Sequence, residues 1–263
     1  MIKNYLRSIA LNEFEGDDNY LNLALFSSNS KSSNIIVKDL IEKRHQEIKL
    51  LVITSQIKGN TIDKLKTLYK YSKKTSQKFL IYKVYESYGG NSAIKLAKKY
   101  HIPIIHVQDV NDYKLINKIK SINIDLNINC FANQIFKKEV IQSAKKGTLN
   151  IHGSLLPKYR GSAQYFWYLY NNDSWGGVTI HFMDEGLDTG DILLQEKFKI
   201  NAEDTMLKLH YKISQLGAKL CNEVVDRLET NSIKAFTQPI HAGSYLKIPT
   251  KEEMKSFSVS KIF

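Results

Sequence analysis

Cysteine is nearly absent from this chain. Its two cysteines, Cys130 and Cys221, exclude a disulfide framework and a four-cysteine zinc site. No apolar stretch approaches the length of a membrane span. The segment from Met1 to Tyr20 breaks its few apolar residues with Asn, Arg, Glu and Asp, which makes a poor signal peptide. Arginine is also scarce, four against 34 lysines, whereas surfaces that read bases or clamp phosphates lean on arginine forks. The turn after the first apolar run is Ser27-Ser28-Asn29-Ser30, without the glycines that let backbone approach a pyrophosphate, and no phosphate-binding lysine loop occurs. These absences set aside membrane and secreted classes, and dinucleotide binding at that turn. A cytoplasmic enzyme or binding protein is expected.

What is present is the balance of a soluble globular chain: 263 residues, 43% hydrophobic and 24% charged, enough to bury a full core. The net charge is 38 minus 26, or +12. A polyanionic partner could account for it, but dispersed surface lysine is the expected reading.

The first half alternates strand and helix patterns, which predicts an α/β fold with a mainly parallel sheet. Leu21–Phe26 and Ile48–Thr54 read as strands around a helix with Ile36, Val37, Leu40 and Ile41. Gly59-Asn60 opens a helix through Ile62, Leu65, Leu68 and Tyr69, and an apolar-aromatic patch, Phe79–Tyr85, follows. Ala93–Tyr100 reads as helix, Pro103–Val107 as a buried strand, and Leu115, Ile116 and Ile119 as one more helix. Ile122 to Cys130 alternates apolar and polar residues, the pattern of a strand with one polar face. A helix is expected from about Phe136 to Lys146, stopped by Gly147, and a strand at Thr148–His152. Strands at Gly177–Met183 and Ile192–Ile200 precede a long helix from Asp204, with the seam Met206, Leu209, Ile213, Leu216, Leu220, Val224 and Leu228. Pro249-Thr250 with Glu253 is a capping-box start for a terminal helix. There is no internal repeat and no linker. The division falls near residue 203, into a domain at 1–203 and a helix and short-strand extension at 204–263.

The chemistry concentrates in Asn150-Ile151-His152-Gly153-Ser154-Leu155-Leu156-Pro157-Lys158-Tyr159-Arg160-Gly161 and in Asp184-Glu185-Gly186-Leu187-Asp188-Thr189-Gly190-Asp191. Two residues apart at a strand end, Asn150 and His152 point to the same side of a sheet. An amide donor beside an imidazole can stabilise an oxyanion while a proton moves. Asp188, in a glycine-flanked loop, could orient the imidazole and raise its pKa. Taken alone, the trio also reads as a capping Asn, a buried His satisfied by backbone, and a turn Asp. Asp191 reads as a loop or cap residue and His181 as a strand side chain. No metal site is expected, because His152, His181 and His210 lack ligand spacing.

The whole string resembles the formyltransferases that use 10-formyltetrahydrofolate: methionyl-tRNA, glycinamide ribonucleotide and sugar N-formyltransferases. The resemblance is strong from about Asp125 to Ile200 and weaker from Leu23 to Thr54. It implies a Rossmann-like domain, a catalytic trio at Asn150, His152 and Asp188, and direct transfer of the formyl group to a primary amine through a tetrahedral intermediate. The folate would lie between two loops, against Phe131, Ala132, Asn133 and Ile135 on one wall and Asp184, Glu185 and Gly186 on the other. Phe-Ala-Asn departs from the small-aromatic-glycine pattern usual on the first wall.

The acceptor is less defined. Methionyl-tRNA formyltransferases carry a sizeable C-terminal barrel, whereas about 60 residues follow Ile200 here and the long helix uses nearly half of them. The segment Gln164–Leu169 resembles the Phe-Trp-containing helix of sugar N-formyltransferases, and Ser244–Thr250 resembles their tails. A small amine is therefore expected, a nucleotide-linked amino sugar first, with methionyl-tRNA and hydrolysis of the formyl donor as alternatives. The segment from Lys58 to Asn91 has no counterpart in the shortest relatives and either shapes the acceptor pocket or extends the surface. The oligomeric state, homodimer included, stays open.

Overall fold

A computed structural model describes residues 20–54, 69, 72–88 and 90–263. Strand β1 (Leu23–Ser27) lies at the centre, buried on both faces as interior parallel strands are. Ser30 then caps helix α1 (Lys31–Arg44), its hydroxyl accepting from Ser33 N at 3.1 Å. Next come β2 (Ile48–Thr54), α2 (Gln77–Ser87), α3 (Ser92–Lys99), β3 (Ile104–Val107), α4 (Tyr113–Ser121), β4 (Leu126–Cys130), α5 (Lys138–Ile141) and β5 (Thr148–His152). A short strand β6 (Arg160–Gly161) and helix α6 (Gln164–Tyr170) lead to β7 (Trp175–Phe182) and β8 (Ile192–Lys199). Helix α7 (Met206–Glu229) and β9 (Tyr245–Leu246), which pairs with β6, follow.

The seven-stranded sheet has the order β3-β2-β1-β4-β5-β7-β8. The pairs from β3 to β5 are parallel, and β7 and β8 complete the sheet antiparallel. The fold is thus the Rossmann-like, mainly parallel α/β class. Strand order reverses between β1 and β4, and such a switch point opens a crevice at the carboxyl ends of the strands. Alternate side chains feed two cores. Leu23, Leu25, Leu51 and Ile53 pack toward α1 and α7, while Ala24, Phe26, Leu50 and Val52 pack toward α4 and α5.

Helix α7 belongs to the first core through Met206, Leu209, Ile213, Leu220 and Val224. It rests directly on β5 at Gly217, where a Cβ would stand 2.6 Å from Ile151 Cγ2. At its far end the buried Arg44 guanidinium clasps it, donating to the Asn222 side chain at 2.9 Å and carbonyl at 3.0 Å and pairing with Asp226, Glu229 and Glu47.

Several sequence expectations are corrected. The Ile122–Cys130 alternation is a strand only from Leu126; Ile122 N and Ile124 N still bond back to α4 carbonyls. Its polar face is buried: Asn127 donates to the Val140 carbonyl of α5, to Ser143 and to Thr148, and Asn129 donates to Asn150. The helix expected over Phe136–Lys146 is confined to Lys138–Ile141 and continues as turns to Gly147, whose φ of +87° suits glycine. Strand β3 is half-buried because it is the sheet edge. The Phe79–Tyr85 patch lies within α2. The capping box forms, with Thr250 N on Glu253 Oε2 at 2.7 Å and Glu253 N on Thr250 Oγ1 at 3.3 Å, but only turns follow it. The helix expected from Gly59 lies, apart from Tyr69, outside the described residues.

Candidate active site

The sheet register builds the site. Asn150 on β5 lies opposite Asn129 on β4 and His181 on β7. Asn129 Nδ2 donates to Asn150 Oδ1 at 2.9 Å, while Asn129 Oδ1 accepts from Ala132 N at 2.9 Å. On the other flank His181 Nδ1 sits 2.8 Å from the Phe182 carbonyl and Nε2 sits 3.0 Å from Asn150 Nδ2. A carbonyl only accepts, so Nδ1 carries the proton and Nε2 accepts from the amide. Burial and the neighbouring His152 pull the His181 pKa down to about 4, which keeps this ring neutral.

Asp188 closes the group. Its backbone takes a left-handed φ of +54°, a conformation Asp tolerates better than most residues. Oδ1 accepts from Asn150 Nδ2 at 3.2 Å and stands 3.4 Å from His152 Nδ1; Oδ2 accepts from Gly161 N at 2.8 Å. Burial alone would raise this carboxyl's pKa, but His152 and the Gly161 amide hold it well below the usual range.

His152 is buried, at 4% exposure, with Nε2 2.9 Å from the Tyr159 carbonyl and Nδ1 facing the carboxylate. Burial opposes its charge, yet Asp188 and the carbonyl outweigh it and raise the pKa. Nδ1 faces the carboxylate and Nε2 the closer Tyr159 carbonyl, acceptors that favour an imidazolium, while Gln164 Nε2 lies 3.3 Å from Nε2. Gln164 Nε2 steadies the surrounding turn, donating to the Gly161 carbonyl at 2.8 Å and reaching the Tyr159 carbonyl at 3.4 Å.

The structure thus brings Asn150, His152 and Asp188 within bonding distance and adds three residues that sequence reasoning did not tie to them: Asn129, His181 and Gln164. The Asn129 signal was the polar alternation of β4; that of His181 needed the β5–β7 register.

The loop residues divide. Phe131 (φ +60°) is half-buried, its ring 5.6 Å from that of His210. Ala132 is fully buried, and its carbonyl accepts from Thr54 Oγ1 at 2.7 Å, so its N–H and carbonyl are both committed within the chain. Asn133 and Ile135 are exposed. Across from them Asp184, Glu185 and Gly186 are exposed, with Asp184 Oδ1 accepting from Gly186 N and Thr189 Oγ1. Glu185 pairs with Lys138 at 3.2 Å, tying its loop to the start of α5. Each loop also offers a large apolar side chain to solvent, Ile135 and Leu187. Among the described residues no three His, Cys, Asp or Glu side chains are grouped to hold a metal ion, and no helix is long and apolar enough to cross a membrane.

Comparison with known proteins agrees with this architecture. Methionyl-tRNA formyltransferase of Thermodesulfovibrio yellowstonii is 40% identical over 171 residues, 64% of this chain and 56% of that protein. The chain spans about half the length of the curated relatives it matches. Glycinamide ribonucleotide transformylase 1 of Symbiobacterium toebii superposes with a TM-score of 0.60 at 15% identity, over 84% of this chain and 92% of that one. An N-formyltransferase of Helicobacter canadensis, solved with folinic acid and dTDP-3-aminofucose, gives 0.59 at 20% identity, over 87% and 71%. At these identities the two structures support the fold. The family model described as formyl transferase matches residues 22–225, from β1 into α7 and across the trio and both loops, and the chain belongs to that family.

Proposed function

We propose that this protein transfers a formyl group from 10-formyltetrahydrofolate to the primary amine of a small acceptor, a nucleotide-linked amino sugar above others. The observation that carries the reading is the single carboxylate oxygen, Asp188 Oδ1, held by both Asn150 Nδ2 and His152 Nδ1. Asp188 keeps His152 oriented and charged. The His152 Nε2 proton, resting on the Tyr159 carbonyl at 2.9 Å, is the acid that an acyl oxygen or a departing nitrogen takes over. The Asn150 amide, turned by Asn129 and His181, supplies a donor to negative charge developing on that oxygen.

The residues present fit a folate. Exposed Ile135 and Leu187 suit a flat heterocycle between the loops, while Asn133 and the Asp184–Gly186 turn offer polar groups at its edge. Bound there, it supplies the formyl group. Ala132 contributes to the loop's shape rather than to contact, since it is fully buried with both backbone groups bonded inside the chain.

Formylation of methionyl-tRNA is the second reading, favoured by curated relatives of that name and by the +12 charge. Mass spectrometry on the protein with 10-formyltetrahydrofolate separates the two. One tube holds nucleotide-linked amino sugars and another charged initiator methionyl-tRNA, with His152→Ala as control. A 28-dalton gain (roughly one formyl for one proton) on a sugar nucleotide, absent in the variant, is expected. A gain on tRNA alone overturns the acceptor assignment, and donor loss without any acceptor product points to hydrolysis.

A further inference from the structure

The first turn of α1 points toward the crevice side of the sheet, where unsatisfied N–H groups normally welcome an anion. Here they are already in use. Ser30 Oγ accepts from Ser33 N at 3.1 Å, and the Glu86 carboxylate, arriving from α2, accepts from Ser32 N at 3.2 Å and Ser32 Oγ at 2.7 Å through Oε2. Glu86 is 3% exposed, and its second oxygen, Oε1, is enclosed without a hydrogen-bond partner. Burial raises the pKa of this carboxyl, while the Ser32 bonds and the charges of Lys83 and Lys31 favour its ionised form.

The surroundings tie this carboxylate to the site. His210 Nδ1 lies 3.7 Å from Glu86 Oε2 and 2.7 Å from the Tyr82 hydroxyl. The His210 ring stacks on Tyr165 at 4.5 Å and lies 5.6 Å from Phe131. Tyr165 follows Gln164, which reaches His152, and Phe131 begins the loop after β4, so the cluster adjoins the candidate trio.

We infer that Glu86 is a specificity-determining residue, a built-in counter-anion that fills the first turn of α1 and excludes a phosphate group of an acceptor from that position. An acceptor would meet this end of the crevice with hydroxyl or amino groups, and any phosphates it carries would lie elsewhere. The inference rests on the formyl-transfer reading for the word acceptor, but the anion exclusion is independent of it. It also gives a role to part of the Lys58–Asn91 segment.

Removing the carboxylate leaves the α1 terminus and the nearby charges of Lys31 and Lys83 without their anion, which should create an anion site. The test is calorimetric titration of inorganic phosphate into the full chain, wild type, Glu86→Ala and Glu86→Gln, with neither folate nor acceptor present. Both variants should bind phosphate at least about tenfold more tightly than wild type, accompanied by a phosphate-dependent shift of the Ser32 amide resonance. Glu86→Gln preserves shape and serves if the alanine variant does not fold. Wild type binding as tightly as the variants, no binding by either variant, or binding without movement of Ser32 would each overturn the inference. Failure of formyl transfer itself would show only in the mass-spectrometric assay.

Discussion

His152 and His181 stand on adjacent antiparallel strands, both nearly fully buried, and both look toward the same carboxylate oxygen, at 3.4 and 3.9 Å. Their protonation nevertheless diverges: one pKa is raised, the other is lowered to about 4. Burial lowers both pKa values; Asp188, which hydrogen-bonds His152 but not His181, outweighs it at His152, and the charge of His152 adds to it at His181. Their second partners differ as well: the Nε2 of His152 faces the Tyr159 carbonyl, with Gln164 Nε2 3.3 Å away, whereas the Nε2 of His181 accepts from the Asn150 amide. A proton is therefore stabilised on one ring and excluded from the other.

The comparison breaks most completely at Asp188. Asp188→Asn removes the acceptor common to His152 and Asn150, and formyl transfer should fall on the order of 1000-fold, with the His152 pKa dropping in an NMR titration. An unchanged rate would remove Asp188 from the mechanism. Asn150→Ala should lower turnover by roughly 100- to 1000-fold and also let the His181 pKa rise, since its Nε2 loses the donor. A rate loss with His181 still titrating near 4 would mean that burial alone keeps that ring neutral.

His181→Leu should cost about tenfold in turnover, because Asn150 loses one of its three side-chain partners, whereas His181→Gln, which restores an acceptor, should recover most of it. A KM effect without a kcat effect would instead assign His181 to substrate binding. The last effect is on stability rather than on rate. Folded His181 and His210 bind protons only near 4 and 3, below their ordinary 6.5, so the unfolded chain holds more protons in the interval. Their contribution is complete above about 6.5 and is lost as pH falls, by roughly 3 kcal/mol per group at pH 4. Urea unfolding followed from pH 7 to 5 should show that decline, and it should flatten in His181→Gln.

The sequence was most informative where function and local geometry coincide. Asn150 and His152 share a strand end, and their two-residue spacing alone puts them on one side. Asp188 could be offered from its glycine-flanked loop, but only the resemblance singled it out, because 36 residues and a change of strand direction separate it from His152. Asn129 and His181 were harder still: their partnership with Asn150 depends on lateral register, which no spacing along the chain reports. The polar stripe of β4 says nothing of what it faces: the Asn127 amide replaces water with the Val140 carbonyl of α5, and the Asn129 amide with Asn150 of β5. The loop wall from Phe131 to Ile135 could be placed by position, but only three dimensions show that Ala132 is committed to Asn129 and Thr54.

Gly217 gives the fold a mechanical weak point far from the chemistry in sequence. Alanine there would improve helix propensity by about 1 kcal/mol, yet its methyl group would meet Ile151, the residue between Asn150 and His152, at 2.6 Å. Relief must come either from the helix lifting or from the strand shifting, and overpacking of this kind typically costs 1–3 kcal/mol, roughly. A single methyl group on α7 is thus a route to a temperature-sensitive protein, one whose active strand is pushed out of line from behind while every functional side chain remains in the sequence.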